Sequence, residues 1–126
     1  MTLKYHDLNS KLLELYPQLR PRYEEELEIW GDEKPGPHIV FGDILVPYLG
    51  KLLTSNTEDE TIRSIFNFLE ELARSPDVHV QEVVAFSVIE YLLADDEQIR
   101  RASEYMGTKT REILKDVRTF WGKTSV

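Results

Sequence analysis

Between Asp77 and Leu93 the chain carries Val78, Val80, Val83, Val84, Ala85, Phe86, Val88, Ile89, Tyr91, Leu92 and Leu93, so a helix over 77–93 is apolar on nearly every side. Such a helix has to be buried all round, with neighbours packed on more than one face. Its valines lower intrinsic helix propensity, so packing must hold it helical. Only Gln81, Glu82, Ser87 and Glu90 leave it narrow access to solvent. The segment predicts an all-α domain built around a central helix.

The rest of the chain supplies the covering helices. Thr57 and Glu60 form a capping box ahead of an apolar face of Ile62, Ile65, Phe66, Leu69, Leu72 and Ala73, which predicts a helix over 57–74. Ser75-Pro76-Asp77 then restarts the chain as N-cap, first-turn proline and dipole-favoured acid. Upstream, Leu8, Leu12, Leu13, Leu15 and Tyr16 repeat at helical spacing until Pro17, and Tyr23, Leu27 and Trp30 stripe a helix from Pro21 that Gly31 caps. Two prolines and two glycines make 31–38 a loop. Ile39-Val40-Phe41 has strand propensity, yet Ile44, Leu45, Tyr48, Leu49 and Leu52 continue at helical spacing, which favours an irregular entry into a helix starting near Asp43.

Downstream, Asp95-Asp96 cap or precede a shorter helix through Ile99, Ala102, Tyr105 and Met106 that Gly107 ends. Thr108 caps a last helix with Ile113, Leu114, Val117, Phe120 and Trp121 on one side; Gly122 terminates it and 123–126 is a frayed tail. Phe68 lies off the main stripe of its helix, flanking the core or facing a partner. Antiparallel helices joined by short turns suit one compact domain over 1–126, arranged as a HEAT-like array or an irregular orthogonal bundle. No period of about 40 residues is visible.

The net charge of −8 is unevenly placed: 9 acids and 6 bases in 1–56, 10 and 2 in 57–96, 4 and 7 in 97–126. An acidic chain is a poor general binder of nucleic acid, whose phosphates require clustered Lys and Arg. Acidic excess serves solubility, and it also steers a basic partner. There is no cysteine, which excludes disulfides, thiolate metal sites and cysteine nucleophiles. Met1 to Asp7 has no secretory character and no apolar run reaches the roughly 18 residues of a membrane span, so the expectation is a cytoplasmic protein.

Chemistry-bearing patterns are sparse. His6, His38 and His79 stand far apart without metal-ligand spacing, and the glycines match no phosphate or dinucleotide loop. No Gly-x-Ser-x-Gly elbow occurs. The paired acids Glu24-Glu25-Glu26, Glu70-Glu71 and Asp95-Asp96 read as solvated helix faces, because a catalytic acid needs a desolvated pocket. Thr108-Lys109-Thr110-Arg111 is a helix start with two cations, able in principle to hold a phosphate, but no glycine-rich loop leads into it. The expectation is no enzyme, no cofactor and no metal.

The tract from Leu45 to Trp121 resembles a family of small bacterial all-helical proteins, through Ile65-Phe66-Asn67-Phe68-Leu69-Glu70-Glu71-Leu72, Val80-Gln81-Glu82-Val83-Val84, Tyr105-Met106-Gly107-Thr108-Lys109-Thr110-Arg111 and Phe120-Trp121-Gly122. Proteins of this appearance are similar to immunity proteins encoded beside bacterial toxins, including those of contact-dependent growth inhibition. The resemblance implies neutralisation of a toxin by direct binding, often of a nuclease domain with a basic cleft. It leaves residues 1–38 without a role. By charge density the candidate partner contacts are Glu58, Asp59, Glu60, Glu70, Glu71, Glu82, Glu90, Asp95 and Asp96. A helical adaptor that binds a cellular protein or peptide is the alternative.

Overall fold

Among residues 3–55 and 59–124, which the computed structural model of the protein describes, seven helices form and no strand. Helix α1 is Leu8–Leu15, α2 is Arg20–Trp30, α3 spans 37–55 and α4 is Asp59–Ala73. Helix α5 spans 78–92, α6 is Asp96–Ser103 and α7 is Thr108–Thr124. Thr57 of the capping box, Glu58, the Trp121 side chain and residues 125–126 lie outside what is described.

The predicted central helix forms and packs against α3, α4 and α7. Val80, Val83, Val84, Val88, Ile89 and Leu92 are buried. Its apolar surface is nevertheless not covered all round: Val78 is 56% exposed, Phe86 49% and Tyr91 50%. Ser87, expected on its solvent side, is buried instead, with its hydroxyl 2.6 Å from His38 Nδ1 on α3. Over Val83–Ile89 the backbone widens to π-helical bonding, on the β-branched run whose side chains crowd the preceding turn.

Helix α3 begins at Pro37, six residues before the expected start near Asp43, because Gly36 is extended and proline suits a first helical turn. It too widens, over Phe41–Leu45. That widening contains Asp43, whose carbonyl an ordinary α-helix would set against the ring of Pro47. Asn9 Nδ2 donates to the Pro35 carbonyl at 3.0 Å and ties the preceding loop to α1.

One N-cap differs from expectation by position. Asp77, not Ser75, caps α5: its Oδ1 accepts the His79 N–H at 2.9 Å, while Ser75 Oγ accepts the Asp77 N–H at 3.1 Å. Of the pair Asp95-Asp96, Asp95 caps α6 through the Gln98 N–H. In α2 the stripe of Tyr23, Leu27 and Trp30 does not make the buried face; Trp30 is exposed and Glu26 is the one buried residue. Its carboxylate accepts from Arg22 and from Trp30 Nε1, both at 3.0 Å, which satisfies it within its own helix. Gly31 caps α2 at φ +63, a backbone that a side chain would strain. Helix α7 continues through Gly122 to Thr124, past the glycine expected to stop it.

Phe68 is core, packed against the rings of Tyr16 and Phe41. Contacts link helices distant in sequence: α7 lies on both α4 and α5, and α6 lies on α3. Arg101 on α6 donates to the Leu53 carbonyl near the end of α3 at 2.7 Å, a cation placed where the helix dipole favours it. The helices therefore close around one core.

Candidate functional site

The adjacent acids Glu70 and Glu71 have opposite fates. Glu70 turns into the start of α7. Its Oε2 accepts the Lys109 N–H at 3.0 Å, and its Oε1 accepts the Thr110 N–H at 2.9 Å and the Thr110 hydroxyl at 2.8 Å. Arg74 Nε donates to the same carboxylate at 2.9 Å. A Cβ on Gly107 would fall 2.6 Å from the Glu70 carboxyl, so only glycine leaves room for this approach. Burial by itself would raise the Glu70 pKa, but the hydrogen bonds from Thr110, Lys109 and Arg74 outweigh it and hold the carboxyl below its ordinary value. Glu71 is exposed.

This contact corrects two sequence expectations. The start of α7, weighed as a phosphate site, already holds an anion from the chain itself, and the cap expected from Thr108 comes from α4. Lys109 pairs with Glu112 at 3.3 Å, and Arg111 Nε donates to the Met106 carbonyl at 3.0 Å, so both cations have local partners. Glu70 is structural and presents little to a partner.

The other acids scatter. Asp59 accepts the Tyr105 hydroxyl at 2.8 Å, which raises the tyrosine pKa, and Asp95 is spent on its N-cap. Glu60 and Asp96 are exposed on different helices. Glu82 and Glu90, both on α5, are the two that meet a common concavity.

That concavity is a groove of about 380 Å³ between α5 and α7. Val78, Ala85 and Phe86 form one wall, and Ile113, Val117 and Phe120 the other. Phe120 is 68% exposed. The charged residues lining it are Glu82 and Glu90 on α5 and Asp116 on α7; no cation lines it among the described residues. Sequence reading missed it because Phe86, Val117 and Phe120 have helical spacing indistinguishable from core. The one signal was the unbroken apolar circumference of α5, which needs more cover than the remaining helices provide.

Residues 9–122 match a family described as domain of unknown function (DUF7674). The chain belongs to that family. No curated protein and no solved structure matches it. The match reaches back to α1 and α2, so the DUF7674 domain includes residues that the resemblance noted from sequence had left aside. Two of the motifs behind that resemblance, around Glu70 and around Gly107, are the two sides of the α4–α7 cap.

Two other features of this DUF7674 domain bear on chemistry. A larger cavity, of about 560 Å³, separates α3 from the end of α5 and α6. Gly42 and Gly50 in its floor lie against the Tyr91 ring and the Gln98 amide, so it is a seam between packed helices, with Lys51 and Glu90 of opposite charge along it. The His38–Ser87 pair has nucleophile–base spacing, but Ser87 is buried and lines neither cavity, and no carboxylate among the described residues hydrogen-bonds the histidine. No group of three or more His, Asp or Glu is gathered for a metal among the described residues. No helix there is long and apolar enough to cross a membrane.

Proposed function

We propose that this DUF7674 domain is a non-enzymatic binding protein that captures a basic protein partner, and that it serves as an immunity protein against a basic toxin such as a nuclease. The observation that carries the reading is the α5–α7 groove, where exposed apolar side chains are bordered by Glu82, Glu90 and Asp116, the charged residues that line it among the described ones. Exposed apolar surface of this kind marks interaction sites, and the acids select the sign of the partner. The overall charge of −8 supports the same sign. An adaptor role would use the same groove, and a toxin gene beside this one would favour immunity. In either role the protein meets its partner in the cytoplasm.

The test is association with a candidate basic toxin domain, measured at two salt concentrations. Exposed charges are screened over about 8 Å at physiological ionic strength, so association should slow by about tenfold or more between low and physiological salt. Reversing Glu60, Glu71 and Asp96 together with Glu82 and Glu90 to lysine should lower the rate further and abolish protection of toxin-expressing cells, with circular dichroism still helical. Glu70 and Asp95 are left intact because they cap helices. Capture and protection indifferent to both salt and charge reversal would remove the reading. In the same preparation, nuclease, esterase, glycosidase and phosphatase substrates should show no turnover; an activity lost on substitution of a single residue would overturn the non-enzymatic assignment.

A further inference from the structure

We infer that the α5–α7 groove seats one α-helix of the partner, an amphipathic helix with an apolar stripe turned inward and Lys or Arg on both flanks. This rests on the binding reading above and specifies its occupant.

The groove walls are themselves helices, whose backbone N–H and C=O groups are spent on intrahelical bonds. An extended peptide laid between them would find no ladder to join and would lose hydration of its own backbone. A helix arrives with that backbone already satisfied, and offers side chains alone. The length also fits. From Val78 to Glu90 the α5 wall advances twelve residues, which at the α-helical 1.5 Å each is about 18 Å at most, the π-helical Val83–Ile89 rising less, or roughly three turns of an incoming helix.

Charge sets the flanks. Glu82 and Glu90 stand eight residues apart on one wall, at most about 12 Å along the axis, and Asp116 stands on the other. An occupant lying along the groove therefore meets acids on both sides, with two cations about two turns apart on the flank facing α5. Between those flanks Phe86, Ala85 and Val117 take aliphatic side chains at i, i+4, i+7 spacing. Anionic surfaces, whether nucleic acid or acidic lipid, are repelled by the same three acids. Attraction speeds the approach, and the apolar anchors set the lifetime.

The probe is a synthetic peptide of about 16 residues with leucines at i, i+4, i+7 and lysines flanking them, labelled for fluorescence anisotropy. Its comparators are a permuted peptide of identical composition without the stripe and a version with glutamate for lysine. The striped basic peptide should bind the full-length protein about tenfold or more tightly than either comparator, with amide shifts confined to α5 and α7. Glu82→Gln, Glu90→Gln and Asp116→Asn combined, which leave the fold's caps untouched, should erase about tenfold of that affinity, as should Phe86→Ser. Equal binding of the permuted peptide, or shifts elsewhere, overturns the inference. So does a dimer that Phe86→Ser dissolves, which would make a second copy the occupant. If a basic toxin is captured in a salt-dependent way but the groove variants bind it unchanged, this inference falls and the binding reading stands.

Discussion

Val84→Asp should abolish the cooperative thermal transition of the protein. Val84 is fully buried in α5, with α3, α4 and α7 packed around that helix. A carboxylate there has no hydrogen-bond partner and no water; burying it, charged or neutralised by proton uptake, costs several kcal/mol. That is on the scale of the entire stability of a small domain, about 5–15 kcal/mol. Val84→Ala removes only packing and should cost about 2 kcal/mol, leaving a lowered but cooperative transition. Phe86→Asp, two residues along the same helix, should stay within about 1 kcal/mol of wild type, because that ring is half exposed. Calorimetry on the three variants decides the matter. A wild-type transition in Val84→Asp would mean that α5 is not the central helix.

Glu70→Ala should lower stability by about 3 kcal/mol, roughly a 10 °C drop in Tm, while Glu71→Ala changes it by no more than about 0.5 kcal/mol. Removing Glu70 takes the acceptor from two backbone N–H groups and a hydroxyl at the start of α7 and deletes the negative charge from the positive end of its dipole. The Glu70 pKa is depressed in the folded state. The stabilisation it gives is thus complete above its unfolded value of about 4.3, and is lost as pH falls through the lower, folded value. Acid denaturation of the wild type should accordingly steepen below about pH 4.3, and the Glu70→Ala variant should lack that component. Equal effects of Glu70→Ala and Glu71→Ala on Tm would show that the α4–α7 cap contributes nothing.

These two experiments probe different kinds of information. The all-α class, the central position of α5, the helix over α4 and the Asp95 cap were legible because each depends on local periodicity or on one side chain reaching its own next turn. The early start of α3 was missed because its cue, Gly36 before Pro37, reads equally well as loop. The exposure of Phe86 was missed for a different reason: an apolar circumference states how much cover a helix needs, and it does not state whether the chain supplies it.

Where the helices run and which segment lies at the centre follow from local pattern, since backbone hydrogen bonding and side-chain spacing act over one to two turns. Long-range packing settled which of two neighbouring glutamates caps a helix and which meets solvent. Glu70 finds the α7 amides forty residues away, and only because Gly107 has no side chain in the way. It likewise decided that Glu82, Glu90 and Asp116 would share one apolar groove, because the approach of α7 to α5 is set by how the whole core packs and no local pattern encodes it.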